Sequence, residues 1–385
     1  MTNIYSGEAQ QKIFKEYFDN KPADSSALLE KIKHYHCLNL VETPFLYTFF
    51  QALSFGDFEF DLQVFSFLSF FFFVLGIFIL GQFFRIHLAT LILGLFLYKY
   101  FQPLAQDINY GDTSQIQIGL ISLFLLIRFY STTALSDYCS GFFLGCILMF
   151  KPNVLYMVLL LMGGWLIQRR NRTLLMNAAG LVTAIVFSIG ISTLIFGNIV
   201  SWIYWLETIF KSMPNFYFKE YFSKSFFQQN FLLGQIFMSG IFCLFALGVS
   251  KRNNLWKIPK LMSGSPIREG NEYFDQEYLL ASVGLLIFLF SGLAKPYHFL
   301  FILPGAVFLL RPKLNAKYNF HFLFVPISFY LANESSAAKR FFGGVILFVL
   351  CLHDLWDLAN QNFIPEDSPI GFTQWLKKLI FPASR

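Results

Sequence analysis

From residue 62 to residue 82 the chain carries no charged side chain, and Phe, Leu, Ile and Val dominate the run. A bilayer core needs about 20 such residues in one helix, so a run of this kind restricts the fold more than any other feature. By the same rule, spans are expected near 62–82, 86–100, 117–130, 138–150, 153–168, 174–196, 231–249, 278–294, 297–310, 318–331 and 340–356. The composition agrees. Of 385 residues, 56% are hydrophobic, 20% aromatic and 14% charged, against roughly 25% charged in an ordinary soluble chain. Too few charges remain to cover a soluble surface, and the hydrophobicity excludes a disordered chain. The expected fold class is therefore an all-α polytopic membrane protein of about 11 helices. An N-terminal extracytoplasmic segment would cover 1–61, a helical bundle 62–356 and a cytoplasmic tail 357–385.

Orientation follows from the basic residues, which favour the cytoplasmic side. With residues 1–61 outside, the inner segments hold Arg85, Arg128, Arg169, Arg170, Arg172 and the basic stretches 251–268 and 311–317. The inner side then has 16 basic and 9 acidic residues, the outer side 13 and 14. The net charge of +6 is thus a topology signal, and nucleic acid is not an expected partner. The five cysteines (Cys37, Cys139, Cys146, Cys243, Cys351) form no CxxC pair, and four lie in apolar runs. No disulfide framework, metal site or cofactor is expected. One consequence concerns the N-terminus: a long polar segment placed outside needs a preceding helix, which points to a first helix upstream of Met1.

Polar residues at the mouth of a membrane are candidates for function, and under this topology they gather outside. The turn Gln106–Gln115 supplies Asp107 and Asp112 as possible bases and Gln115 as a sugar-binding amide. It reads equally as a solvated turn. Lys151, followed by Pro152, interrupts a long uncharged stretch; it either snorkels to the interface or offers a point charge to a phosphate. Lys295-Pro296-Tyr297-His298 repeats the Lys-Pro arrangement, so that two outer lysines would clamp one anionic ligand. Segment 197–230, with Trp202, Trp205 and alternating aromatic and charged residues, suits an amphipathic helix lying in the interface. No Gly-rich phosphate loop, HExxH or GxSxG motif is present.

The order of these features resembles a known family. A polar turn (Gly111 to Gln115) leads into an apolar span. A small-residue helix ends in Lys151-Pro152, a helix is closed by Arg169-Arg170, and a span ends at Phe196-Gly197. Thr43-Pro-Phe-Leu-Tyr47 resembles an aromatic-Pro segment late in the first outer loop, and Pro296-Tyr-His298 a later Pro…His segment. The whole resembles the polyprenol-phosphate-mannose-dependent mannosyltransferases of glycosyltransferase family 87, over about residues 3–312. The resemblance implies a GT-C bundle in the cell's inner (plasma) membrane with its active site on the outer face, and a sugar donor delivered as a lipid phosphate. A carboxylate would deprotonate a lipid or glycan acceptor, and the donor carbon would invert. Lys151, Lys295 and His298 would bind the donor phosphate; Asp107, Gln115 and Tyr297 would bind substrate. The family's usual acid would fall just before Asn3, where Met1 and Thr2 stand. Glu8, Glu42 or Asp112 would then have to serve, or the chain as given would be inactive. A multi-pass secondary transporter or flippase is the alternative. It would place coupling acids at mid-membrane, where this sequence has none.

Overall fold

Thr43 starts the first described helix. Its side chain accepts from the Leu46 amide and Pro44 occupies the first helical position, where a missing N–H costs nothing. The computed structural model describes residues 43–55, 58–83, 103–104, 107, 113–131, 133–197, 199–211, 240–244, 246–248, 269–290, 296–310, 320–333 and 337–360. Among these, every regular element is helical. In order they are α1 (Pro44–Ala52), α2 (Phe58–Phe83), α3 (Ser114–Phe129), α4 (Ala134–Phe150), a 3₁₀ turn (Pro152–Val154), α5 (Leu155–Ile167) and α6 (Asn171–Phe196). Then follow α7 (Val200–Lys211), α8 (Glu269–Phe290), a 3₁₀ segment (Pro296–Phe301), α9 (Ile302–Leu309), α10 (Phe320–Ala332) and α11 (Ala337–Asn360).

Small residues fix how these helices meet. A Cβ at Gly141 would overlap the Asn177 carbonyl of α6, and one at Gly180 would overlap the Tyr138 carbonyl of α4. Gly145 meets Ala184 in the same seam. The four-residue spacing of Gly141/Gly145 and Gly180/Ala184 lets the two backbones touch, as small residues do between helices in a membrane. Gly76 and Gly119 do the same for α2 and α3, and Gly284 brings α8 onto Met157 of α5. A core of Phe, Leu and Ile from α2 to α5, α8, α9 and α11 fills the space between them. Other faces turn outward bare: Leu175, Val182, Val186, Phe187 and Leu194 are exposed along α6. An apolar face of this extent is a contact surface for lipid or protein rather than for water.

Among the described residues, two helices, Phe60–Phe83 and Asn171–Phe196, are long and apolar enough to cross a bilayer. The expected spans near 117–130, 138–150 and 153–168 appear as helices of 16, 17 and 13 residues. At 1.5 Å per residue they rise about 20–26 Å. The expected spans 86–100 and much of 231–249 lie outside the described residues, as do nearly all of segment 1–61 and the tail. The span expected at 278–294 runs instead from Glu269 to Phe290. Within it, Glu277 is paired with arginines from other elements. The span expected at 297–310 begins as a 3₁₀ segment at Pro296 before becoming α9. In the segment expected to be amphipathic, Val200–Lys211 is a helix on which Trp202 is buried and Ile203 and Leu206 are exposed.

Candidate active site

Helices α3, α4 and α5 alternate in direction, so residues distant in sequence collect at two opposite ends. One end holds the start of α3, the end of α4 and the turn into α5. Asp107 is fully buried, and its two carboxylate oxygens accept from the Ser114 and Gln115 amides at 3.3 Å each. It therefore caps α3, meeting donors that no residue within the helix can satisfy. One turn further, Gln117 Nε2 donates to Asn153 Oδ1 (2.7 Å) and to the Lys151 carbonyl (3.3 Å). Asn153 Nδ2 donates back to Gln117 Oε1 (2.9 Å). Thr43 Oγ1 donates to the carbonyls of Met149 (2.5 Å) and Phe150 (3.3 Å), which fastens α1 to the last turn of α4.

Lys151 stands at the centre of these contacts. It ends α4 and begins the 3₁₀ turn in an extended conformation, because the proline that follows disfavours helix at its own position. Its side chain is buried, at 7% exposure. The 3₁₀ segment Pro296–Phe301 packs against α3 and α8, and the turn after Lys151 also packs against α8. His298 is buried with its ring edge-on to Phe288 (5.1 Å between centroids) and stacked over Phe301 (6.1 Å). Gln115 is buried at 1% exposure, and among the described residues neither of its amide atoms has a hydrogen-bond partner.

Of the residues the sequence nominated, Lys151, Asp107, Gln115 and His298 thus belong to elements that meet at this end. Asp107 serves the helix start. Glu8, Glu42, Asp112, Lys295 and the Tyr297 side chain lie outside the described residues. Gln117 and Asn153 were missed, although a glutamine in the run Ile116–Leu120 and an asparagine directly after Lys-Pro were visible signals. No group of three or more His, Cys, Asp or Glu able to hold a metal occurs among the described residues.

The opposite end carries a second constellation that the sequence did not suggest. Arg128 Nε and Nη2 donate to the two oxygens of Glu277 at 3.0 and 2.8 Å, and Nη1 donates to Asp137 at 2.6 Å. Glu277 also accepts from Trp165 Nε1 at 2.8 Å and from Arg170. The Arg128 guanidinium lies 5.1 Å from the centre of the Trp165 ring, within cation–π range. Asp137 takes further contacts from Ser131 (2.8 Å), Thr173 (3.5 Å) and Arg172 (3.6 Å). Glu277 and Asp137 are each paired with two arginines, and the network ties α3, α4, α5, α6 and α8 together.

A helical bundle with bare apolar outer faces and polar groups at its two ends is built for a membrane setting. The family model of glycosyltransferase family 87 matches residues 41–259, more than half of the chain, and the chain belongs to that family. It is accordingly a glycosyltransferase, with a sugar donor and an acceptor as its substrates. The matched residues include Thr43, Asp107, Gln117, Lys151 and Asn153 but neither Glu277 nor His298. No curated protein and no solved structure matches the chain.

Proposed function

We propose that this glycosyltransferase is a multi-pass enzyme of the inner (plasma) membrane with a GT-C-type bundle and an active site on the outer face. It moves a hexose, with mannose the first choice, from a polyprenyl-phosphate donor to a lipid or glycan acceptor. The observation that carries the reading is the setting of Lys151: a buried lysine at a helix break, with its carbonyl held by Gln117, which Asn153 holds in turn, and the preceding carbonyls held by Thr43. An ammonium is a point charge suited to a phosphate, and a lysine at a helix break near the end of the bundle stands where a lipid phosphate at the membrane surface would be held.

The reaction is a single displacement. A carboxylate takes the acceptor hydroxyl proton, and the oxygen attacks the anomeric carbon from the face opposite the phosphate. The bond from that carbon to the phosphate oxygen breaks, and polyprenyl phosphate leaves with the electron pair. Negative charge grows on the phosphate as the bond lengthens, so Lys151 stabilises the transition state more than the ground state. His298 and Lys295 would assist from the second Lys-Pro segment. The base is assigned to Asp112 or Glu42, which precede Thr113 and Thr43 in sequence, with Glu8 as the further candidate. Asp107 is a poor base because both of its oxygens already cap α3.

The test is sugar transfer by purified full-length protein in lipid nanodiscs, supplied with polyprenyl-phosphate mannose or with nucleotide sugars. Transfer from the lipid phosphate, with inverted configuration in the product, supports the reading. Transfer from nucleotide sugars alone overturns it.

A further inference from the structure

Two buried polar side chains on facing helices have no hydrogen-bond partner among the described residues: Gln115, at both amide atoms, and Ser69, at its hydroxyl. They are 1% and 3% exposed. Helical spacing places them together. Gly119 of α3 packs on Phe72 and Gly76 of α2. Gln115 lies four residues before Gly119, and Ser69 seven residues before Gly76. Each is therefore on the face that makes the glycine contact, Gln115 about one turn and Ser69 about two turns from its glycine toward the end that holds Lys151. No hydrogen bond joins the two side chains.

Buried polar groups are almost always paired, and an orphan calls for an explanation. The neighbouring Gln117 shows the contrast, since its amide is satisfied by Asn153 and Lys151. We propose that Gln115 and Ser69 form a hydroxyl-binding subsite that reads the sugar of the lipid-phosphate donor. This rests on the function proposed above and adds the residues that discriminate the sugar. A primary amide offers one donor and one acceptor in a single plane, and the serine hydroxyl supplies a third position. A sugar hydroxyl both donates and accepts, so one such group between the two helices satisfies all three atoms. The seam has to admit only that hydroxyl, while the ring stays at the end of the bundle beside Lys151.

The experiment measures binding to purified full-length protein in nanodiscs. Three probes are compared: methyl polyprenyl phosphate, a diester with the donor's charge but no sugar, and the mannosyl and glucosyl diesters. The wild type is expected to bind one sugar diester at least tenfold more tightly than the methyl diester. Gln115→Leu should lose that advantage and keep its affinity for the methyl diester, and Ser69→Ala should lose part of it. If Gln115→Leu does not fold, Gln115→Glu, which keeps the shape but loses the donor, is expected to lose the same advantage. Equal wild-type affinity for all three diesters would mean an ordered water only at this position, and would overturn the subsite while leaving the lipid-phosphate reading intact. Retention of the sugar advantage by the folded Gln115 variant would also overturn it. Failure of the wild type to bind any of the three would overturn the proposed donor, and the subsite with it.

Discussion

Gln117 and Asn153 exchange two side-chain hydrogen bonds, at 2.7 and 2.9 Å, across the junction between α3 and the turn that follows Lys151. Because Gln117 also donates to the Lys151 carbonyl, the pair fixes the backbone from which the lysine side chain leaves. Removing one partner strands the other amide in a dry setting, at about 1–3 kcal/mol. Asn153→Ala and Gln117→Ala are each expected to lower the melting temperature of the purified protein and to slow transfer. Replacing both with apolar residues of similar size should restore part of the stability and none of the rate. Additive effects in this double-mutant cycle would show that the pair is not coupled.

The lysine itself is the sharper test. Lys151→Ala removes a charge-assisted contact of about 1.5–3 kcal/mol, equivalent to roughly a 10- to 100-fold loss of transfer at 1.36 kcal/mol per decade. The loss should fall on turnover as well as on donor affinity. Lys151→Arg keeps the charge but needs room for a planar fork, and at a buried helix break it is expected to be impaired too. Rates are to be normalised to folded protein. Unchanged turnover in Lys151→Ala would take this residue out of the site.

At the other end the expectation is structural. Arg128→Ala leaves Glu277 and Asp137 short of a cation, and breaking a buried pair costs about 3–5 kcal/mol. Glu277→Gln removes the carboxylate that Arg128 and Arg170 share. Both variants should lower the yield of folded protein and its melting temperature. The protein that does fold should transfer sugar at close to the normal rate per molecule. Arg128→Met combined with Glu277→Leu should be milder than either single change. A normal yield and stability in Glu277→Gln would show that the network does not hold the bundle.

Much of the helical framework was legible in the sequence, because uncharged runs such as 62–82 have few alternatives to an apolar helix. Helix ends were less so. α8 begins near Glu269 rather than 278, through acidic residues that hydropathy reads as loop, and its Glu277 is paired with arginines from elsewhere in the chain, a pairing that hydropathy does not register. For the same reason the buried network was invisible. Arg128 and Glu277 are 149 positions apart, and each taken alone reads as a charge at a membrane boundary. Asp107 illustrates a different failure. The residue type was recognised as chemically useful, but only the position of the Ser114 and Gln115 amides shows that its oxygens cap a helix. Lys151 was legible because a lone cation in an uncharged stretch stands out. Its supports, Thr43 and Gln117, are ordinary polar residues whose importance comes from what they touch.

The final prediction concerns which end faces out. Lys151 and its partners lie at the end shared by the start of α3 and the end of α4, and Arg128, Asp137 and Arg170 lie at the other. The proposed donor is used on the outer face, and arginines favour the cytoplasmic side, so the two arguments orient the bundle the same way. In a cysteine-free background that remains active, Asp112→Cys and Arg172→Cys report on the two ends. Arg172 suits the purpose because 61% of its side chain is exposed and its contact with Asp137 is a long one, 3.6 Å. A membrane-impermeant maleimide applied to intact cells should label position 112 and leave position 172 unlabelled until the cells are opened. Labelling of 172 alone in intact cells would invert the bundle. Lys151 would then sit in the cytoplasm, where nucleotide sugars are available, and the case for a lipid-phosphate donor would lose its topological support.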